Sequence, residues 1–213
     1  MKAVYAALCL GLLSVCRASP LTCDQLLTFK GTVGNLSGRW YLHGLSTDSC
    51  VLSNFLGKYL DPSIAVDNVY HESLKRYNVT ATVKSRTSCM NSTESFDFDN
   101  NTVSSTDETY TFLPSSCSDC YVMSTNSSVK ILLLYSRKTS IDTADFQEFE
   151  RQAACLQLPQ PRRFATDYNF ENCTDNWGED LTDEESAAEL KKLGGFGIDL
   201  LQCLVEYLGS LSQ

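Results

Sequence analysis

The stretch Asn35-Leu-Ser-Gly-Arg-Trp-Tyr-Leu-His-Gly44 (NLSGRWYLHG) places a glycosylation sequon five residues before one of the two tryptophans of the chain. A glycan requires solvent, whereas a tryptophan is mostly buried. From Arg39 to Thr47 the residues are apolar or β-forming and predict a strand. The stretch therefore predicts a chain that passes from an exposed turn into the core as its first strand begins, with Gly38 allowing the turn.

Strand-like segments recur at short spacing through the middle of the chain. Phe96-Asp-Phe-Asp99 alternates aromatic and acidic residues, and Tyr110 and Phe112 alternate with threonines. Asn100-Asn101 has the composition of a hairpin turn. The short connections predict a mostly antiparallel sheet. The other predicted segments are strands over 63–72, 77–83, 121–124 and 129–136, and a short helix within 49–60.

A helix is predicted after the last of these strands. Thr143 is its predicted N-cap, and apolar residues recur at helical spacing over 144–156. About eight strands and one late helix predict an all-β protein, an eight-stranded antiparallel up-and-down barrel with the helix packed outside and an extra C-terminal helix. The alternative is an immunoglobulin-type sandwich, in which a tryptophan lies between two disulfide-bonded cysteines. The positions of Trp40, in the first strand, and Trp177, in an acidic segment, favour the barrel.

The first residues predict a secretory signal peptide over 1–18. Lys2 precedes an apolar run that is too short to span a membrane, and Ala18 ends a small-residue cleavage site. Without these residues the chain keeps 15 of its 17 basic side chains and all 26 acidic ones, a net charge of −11. This balance argues against nucleic acid and anionic membranes as partners, and it leaves small cations open.

Cysteines and sequons agree with secretion. Eight of the ten cysteines remain after cleavage, and an even number in an oxidising compartment predicts four disulfides. Six sequons predict glycosylation: Asn35, Asn78, Asn91, Asn100, Asn126 and Asn172. The predicted domain organisation is a signal peptide over 1–18, a barrel over 19–173, an acidic linker over 174–185 and a helical extension over 186–213. That extension either packs over the barrel mouth or lies on a lipid surface.

No set of residues predicts catalysis. His43 and His71 lie in predicted strands, and no nucleophile stands beside either by spacing. Cys117-Ser-Asp-Cys120 has the spacing of a redox or zinc motif, but strand residues follow it and no second ligand pair exists. A structural disulfide is the better interpretation. We therefore predict no enzyme activity, no cofactor and no metal.

A closed barrel of this size has room for one small ligand. Aromatic residues and one methionine at alternate strand positions are the candidates for the binding surface: Tyr70, Tyr77, Phe96, Phe98, Tyr110, Phe112, Tyr121 and Met123. Core packing explains any single one of them equally well, because half of each strand faces outward. The acidic chain favours a cationic amphipathic ligand, and the apolar wall suits a neutral lipid or steroid.

Several motifs resemble the lipocalin family. Gly38-Arg-Trp40 resembles its Gly-x-Trp signature. Three further motifs resemble the alpha-1-acid glycoprotein and apolipoprotein M branch: Pro20-Leu-Thr-Cys23, Cys89-Met-Asn-Ser-Thr93 and Ala154-Cys-Leu-Gln-Leu-Pro159. The segments 117–126 and 149–155 are similar to the saxitoxin- and tetrodotoxin-binding lipocalins of pufferfish. The resemblance covers about 21–173.

The resemblance implies an eight-stranded calyx that carries small molecules in extracellular fluid. It also implies the disulfides Cys23–Cys155 and Cys89–Cys173. We pair the remaining cysteines as Cys117–Cys120 and Cys50–Cys203, the last of which would hold the C-terminal helix near the barrel mouth. Arg137 matches the basic residue that packs over the signature tryptophan, which implies a structural stack of Arg137 on Trp40 at the barrel floor.

We therefore predict a secreted, glycosylated lipocalin that binds and transports a small amphipathic or hydrophobic ligand. Two alternatives stay open. One is a lipid- or lipoprotein-associated protein that acts through its C-terminal amphipathic helix. The other is an enzyme resembling the prostaglandin-isomerase lipocalins, which would require a free thiol among the last four cysteines paired above.

Overall fold

The computed structural model of the chain describes residues 21–56, 62–85, 88–106, 108–164, 167–171, 173, 197, 199–201 and 203. Nine strands form one sheet in the order β2-β3-β4-β5-β6-β7-β8-β1-β9, and β1 also pairs with β2. That second pairing closes the first eight strands into a barrel, and all of its ladders are antiparallel. The predicted fold class is confirmed.

The elements follow one another with short connections. The barrel strands are β1 (Gly38–Thr47), β2 (Ser63–His71), β3 (Arg76–Ser85), β4 (Ser88–Asp99), β5 (Thr102–Ser104), β6 (Thr109–Leu113), β7 (Cys120–Asn126) and β8 (Lys130–Ser136). The ninth strand, β9 (Arg162–Arg163), pairs with β1. The helices are α1 (Cys23–Leu27), α2 (Cys50–Asn54) and α3 (Thr143–Cys155).

Two strands differ from the sequence-based expectation. β4 begins eight residues before the predicted Phe96, because its first half is rich in serine, threonine and asparagine and shows no hydrophobic alternation. β5 was not predicted, since three residues are too few to show a pattern. It nevertheless bridges β4 and β6, with Val103 paired to Phe98 on one side and to Tyr110 on the other.

The N-cap of α3 is Asp142, so the predicted Thr143 cap is wrong. Thr143 is already the first helical residue, and Asp142 has extended backbone angles but no side-chain cap hydrogen bond. Aspartate and threonine are both favoured N-cap residues, and adjacent candidates cannot be ranked by residue type alone. The helix itself lies within one residue of its predicted ends.

Helix α3 packs against the outer wall of the barrel at Gly44. A β-carbon at Gly44 would lie 2.7 Å from the Phe149 ring, so this contact requires glycine. Phe146, Phe149 and Ala153 form a second apolar core there, separate from the one inside the barrel. The buried Gln152 connects α3 to the end of α1, because its amide nitrogen Nε2 donates to the carbonyl of Leu26 at 3.0 Å.

Four disulfides join the same cysteine pairs as the sequence analysis proposed. Cys23–Cys155 connects α1 to the end of α3, and Cys89–Cys173 connects β4 to the segment after β9. Cys117–Cys120 closes the turn before β7. Cys50–Cys203 connects α2 to a residue of the predicted C-terminal extension.

The remaining predictions for the two ends of the chain fall on residues outside the described ranges. They comprise the signal peptide over 1–18, the acidic linker with Trp177, and most of the extension over 186–213. Within the described part of the chain, no helix is both long and apolar enough to cross a membrane. The domain boundaries stay predictions.

Candidate ligand site

The floor of the barrel is built around Trp40. Its indole Nε1 donates to the carbonyl of Leu36 at 2.7 Å, and the Arg137 guanidinium lies 4.1 Å from its ring centroid on the outer side. Arg137 also donates to the carbonyls of Asn35 and Ser37, which fixes the turn that precedes β1. Gly38 ends this turn with φ +97°, an angle that favours glycine. The chain therefore enters the core at Trp40 through a turn held from outside.

Above this floor the barrel encloses a cavity of about 200 Å³. An apolar cavity of about 150 Å³ holds one benzene molecule, so this one suits a molecule of one or two rings. Six of the eight predicted binding residues line it: Tyr77, Phe96, Tyr110, Phe112, Tyr121 and Met123. Their ligand-binding role stays a prediction.

The other two predicted residues, Tyr70 and Phe98, are not among the lining residues. Tyr70 is 41% exposed near the end of β2 and contacts Tyr77 at a tilted angle, with 4.8 Å between ring centroids. Phe98 is half-buried and packs edge-on against Tyr77 and Phe112, at 6.0 and 6.2 Å. Both rings contact lining residues without belonging to the lining themselves.

Aromatic contacts connect the floor to the cavity wall. Trp40 meets Tyr121 edge-on at 4.6 Å between ring centroids, and Tyr121 stacks on Tyr135 at 5.0 Å. Burial raises the pKa of Tyr121 and of Tyr135 well above the ordinary tyrosine value. Tyr135 raises the pKa of Tyr121 further, and Tyr110 does the same for Tyr135. Both therefore remain neutral hydroxyl groups at physiological pH.

Three polar lining residues besides the tyrosines were missed by the sequence analysis, namely Asn68 on β2 and Ser92 and Glu94 on β4. Asn68 pairs with Val79, and Val79 pairs with Glu94, so Asn68 and Glu94 lie in one row of the sheet on either side of Val79. Glu94 is two residues before Phe96, so both side chains lie on the same face of β4. The two-residue period of Phe96 and Phe98 extends back to Glu94, but the predicted strand began at Phe96 and did not include it.

Glu94 and Asn68 both keep an acceptor without a partner among the described residues. The Glu94 carboxylate has no hydrogen bond or ion pair there, although its charge raises the pKa of Tyr110 after the larger effects of burial and of Glu108. Asn68 is 6% exposed, and its Oδ1 is buried without a hydrogen bond. The cavity is thus lined mainly by aromatic rings, and Asn68 Oδ1 and the Glu94 carboxylate are two acceptors in it that have no partner among the described residues.

No protein-family model and no curated protein matches this chain. Solved structures do match it. The siderocalin Ex-FABP, which functions through dual ligand specificities, is 15% identical with a TM-score of 0.53, over 62% of this chain and 95% of that one. At this identity the match shows the fold alone.

The chain has the lipocalin fold.

Two further solved structures match with smaller TM-scores, and the assignment of the fold does not rest on them. Hamster aphrodisin, a sex pheromone from the female, is 13% identical with a TM-score of 0.47, over 62% of this chain and 95% of that one. A dog lipocalin allergen is 13% identical with a TM-score of 0.49, over 67% of this chain and 100% of that one.

The two histidines of this lipocalin fold lie away from the cavity lining. His43 is buried in β1, where its Nε2 is 2.7 Å from the carbonyl oxygen of Lys138. Burial lowers the pKa of His43, and the charge of Arg163 lowers it further. His71 is exposed, and its Nε2 lies 3.1 Å from Asn78 Nδ2. Neither ring is beside a nucleophile among these contacts, and each has a polar partner.

The Cys117-Ser-Asp-Cys120 motif lies outside the lipocalin cavity. The two sulfurs and an Asp145 carboxylate oxygen are within 4.8 Å of one another, which is close enough for metal ligands. The two sulfurs are bonded to each other, however, and a metal ligand must be a thiolate. This observation supports the structural interpretation of the motif.

The thiol that the enzyme alternative requires is not found among the described cysteines. The four cysteines concerned, Cys50, Cys117, Cys120 and Cys203, are all disulfide-bonded. None of them belongs to the cavity lining either. In this disulfide state the polar groups of the cavity lining are phenols, an amide, a carboxylate and the Ser92 hydroxyl.

Proposed function

We propose that this protein is a secreted, glycosylated lipocalin that binds and transports a small amphipathic or hydrophobic ligand in its barrel cavity. The observation that carries the proposal is the aromatic cavity of about 200 Å³ with two oxygen acceptors in one row. Apolar walls with a few polar groups are the usual composition of small-molecule sites. The four disulfides agree with an extracellular environment.

Within this proposal the ligand is cationic. The Glu94 carboxylate lines the cavity without a partner among the described residues, so a ligand ammonium or guanidinium group would give it one. The aromatic rings beside it favour a cation as well. Such a ligand agrees with the similarity of segments 117–126 and 149–155 to the toxin-binding lipocalins of pufferfish, and we place the chain in the alpha-1-acid glycoprotein and apolipoprotein M branch.

The test compares an obstructed cavity with an intact one. Ala81 lines the cavity, and Ala81→Phe would place a ring inside it. Thr80 is the next residue on β3, and its hydroxyl is 3.0 Å from that of Thr93 on the other face. Thr80→Phe is therefore a matched control that adds the same ring outside the barrel.

Native mass spectrometry of the secreted full chain is the measurement. We expect a co-purifying small molecule on the unmodified protein and on Thr80→Phe, and at least a tenfold lower occupancy on Ala81→Phe. Equal occupancy of the two variants would place binding elsewhere. No bound molecule, together with no binding from panels of lipids, steroids and guanidinium compounds, would contradict the carrier function.

The lipid-associated alternative assigns binding to the extension over 186–213. The structure describes only five of those residues, among them Leu201, which is 64% exposed, and Cys203. The same experiment addresses this alternative. A chain that ends after Cys173 would lose lipid binding under the alternative and keep its cavity ligand under our proposal.

A further inference from the structure

The amide of Asn68 has a fixed orientation. Its Nδ2 donates to the carbonyl oxygen of Leu36 at 3.0 Å. An exchange of the two amide ends would bring Oδ1 against that carbonyl, and two acceptors repel each other. The hydrogen bond therefore decides which end of the amide is the nitrogen.

The Asn68 side chain also influences the phenol of Tyr121. Burial raises the pKa of Tyr121, and the side chain of Asn68 acts in the opposite direction through a hydrogen bond. A donor facing the phenol oxygen has that effect, because it stabilises the phenolate. The nitrogen end of the amide is thus paired with the Leu36 carbonyl, and Oδ1 is left without a partner among the described residues.

Oδ1 is a buried acceptor at the deep end of the cavity. It has no hydrogen-bond partner among the described residues, while the side chain that carries it is 6% exposed and lines the cavity. An unsatisfied buried polar group is costly, and a natural protein retains few of them. A group that arrives with an N–H or O–H donor removes that cost, whereas a carboxylate or an ether oxygen does not.

We propose that Asn68 is a specificity-determining residue, whose Oδ1 selects ligands that enter the cavity with a hydrogen-bond donor at their leading end. This inference rests on the proposed carrier function and narrows its ligand class. The favoured ligand carries a hydroxyl, amine or N–H group at the end near Tyr121, and its apolar body lies against Val66 and Val79. Molecules whose leading end is a carboxylate are disfavoured.

Indole and benzofuran are the probes that test this inference. They have nearly the same shape and suit a cavity slightly larger than one benzene ring, but indole has an N–H donor where benzofuran has an oxygen. Isothermal titration calorimetry of the full secreted chain gives the two dissociation constants. We expect indole to bind about tenfold more tightly, which is the effect of one satisfied buried acceptor.

The Asn68→Leu variant tests whether the preference for indole over benzofuran depends on Asn68. Leucine has a similar size, and the carbonyl of Leu36 keeps its hydrogen bond from Trp40 Nε1. We expect the ratio of the two dissociation constants to fall to about one. A ratio that survives in Asn68→Leu would overturn the assignment, because another group would then be the acceptor.

The ratio in the unmodified protein is a test by itself and requires no variant to fold. Equal binding of indole and benzofuran, with both lost in Ala81→Phe, would overturn this inference and leave the carrier function standing. That result is also expected if a buried water satisfies Oδ1. Binding of neither probe at millimolar concentration would count against both proposals.

Discussion

The Arg137 guanidinium stacks on Trp40 from outside the barrel, 4.1 Å from the ring centroid, while it donates to the carbonyls of Asn35 and Ser37. One side chain thus covers the floor tryptophan and holds the turn that leads to it. The planar guanidinium is suited to both contacts, because it stacks on a ring and presents several N–H groups in one plane.

We predict that Arg137→Ala lowers the free energy of unfolding by about 1–2 kcal/mol, from the lost cation–π contact and the carbonyl hydrogen bonds. Arg137→Lys should recover only part of this loss, since an ammonium lacks the planar fork. Lys138→Ala is the matched control, because the ion pair of Lys138 with Asp119 is exposed. Urea unfolding measures all three. Equal losses for Arg137→Ala and Lys138→Ala would refute the stacking role.

Gly44 should tolerate no side chain. In Gly44→Ala the new β-carbon would lie 2.7 Å from Phe149 and displace α3 from the wall, which we expect to lower the free energy of unfolding by about 1–3 kcal/mol. Gly34→Ala is the control, since a β-carbon there meets nothing within 4 Å. Thermal unfolding by circular dichroism compares the two. A Gly44→Ala variant as stable as Gly34→Ala would show that the helix does not pack as described.

His43 should make the fold less stable as the pH falls. Its pKa is lowered in the folded state, so below the ordinary value of 6.5 the unfolded chain binds more protons at this position than the folded chain. The free energy of unfolding should therefore decrease from pH 6.5 downward until the lowered folded pKa is reached, by at most about 1.4 kcal/mol per pH unit. His43→Gln should remove this part of the slope. An unchanged slope in His43→Gln would assign it to other groups.

Glu94→Gln should weaken the binding of cations selectively. We expect 1-naphthylmethylammonium to bind about threefold more weakly to the variant, a modest factor because Glu94 is exposed and solvent screens its charge. The neutral isostere 1-naphthylmethanol should bind to both proteins equally. Calorimetric titration at low salt gives the four constants. A parallel loss for both probes would indicate altered cavity shape and would exclude an electrostatic role.

The secreted chain should contain no free thiol. Alkylation under denaturing conditions without reductant should add no mass, because the eight cysteines that follow the predicted cleavage site form four disulfides. Alkylation after reduction should label all eight. Labelling of Cys50, Cys117, Cys120 or Cys203 without reduction would revive the enzyme alternative.

The barrel could be predicted because its signal is repeated along the chain. Short strands with alternate aromatic residues, such as Phe96 and Phe98, recur between turn residues, and each adds evidence for the same antiparallel sheet. The weakest part of the prediction was the polar half of β4, which has no alternation of hydrophobicity. The missed residue Glu94 lies at that boundary.

The sequence by itself determined the container, a closed antiparallel barrel with an outer helix, because hydrophobic periodicity and turn residues act locally. The floor at Trp40 was implied by the resemblance of Gly38-Arg-Trp40 to the lipocalin signature. Only the tertiary structure decided which polar groups line the cavity. Asn68 and Glu94 are 26 positions apart and become neighbours across Val79 through strand register, which depends on how the whole barrel closes. The orientation of the Asn68 amide likewise depends on a residue distant in sequence. The carbonyl of Leu36 accepts a hydrogen bond from Nδ2, which leaves Oδ1 unpaired among the described residues.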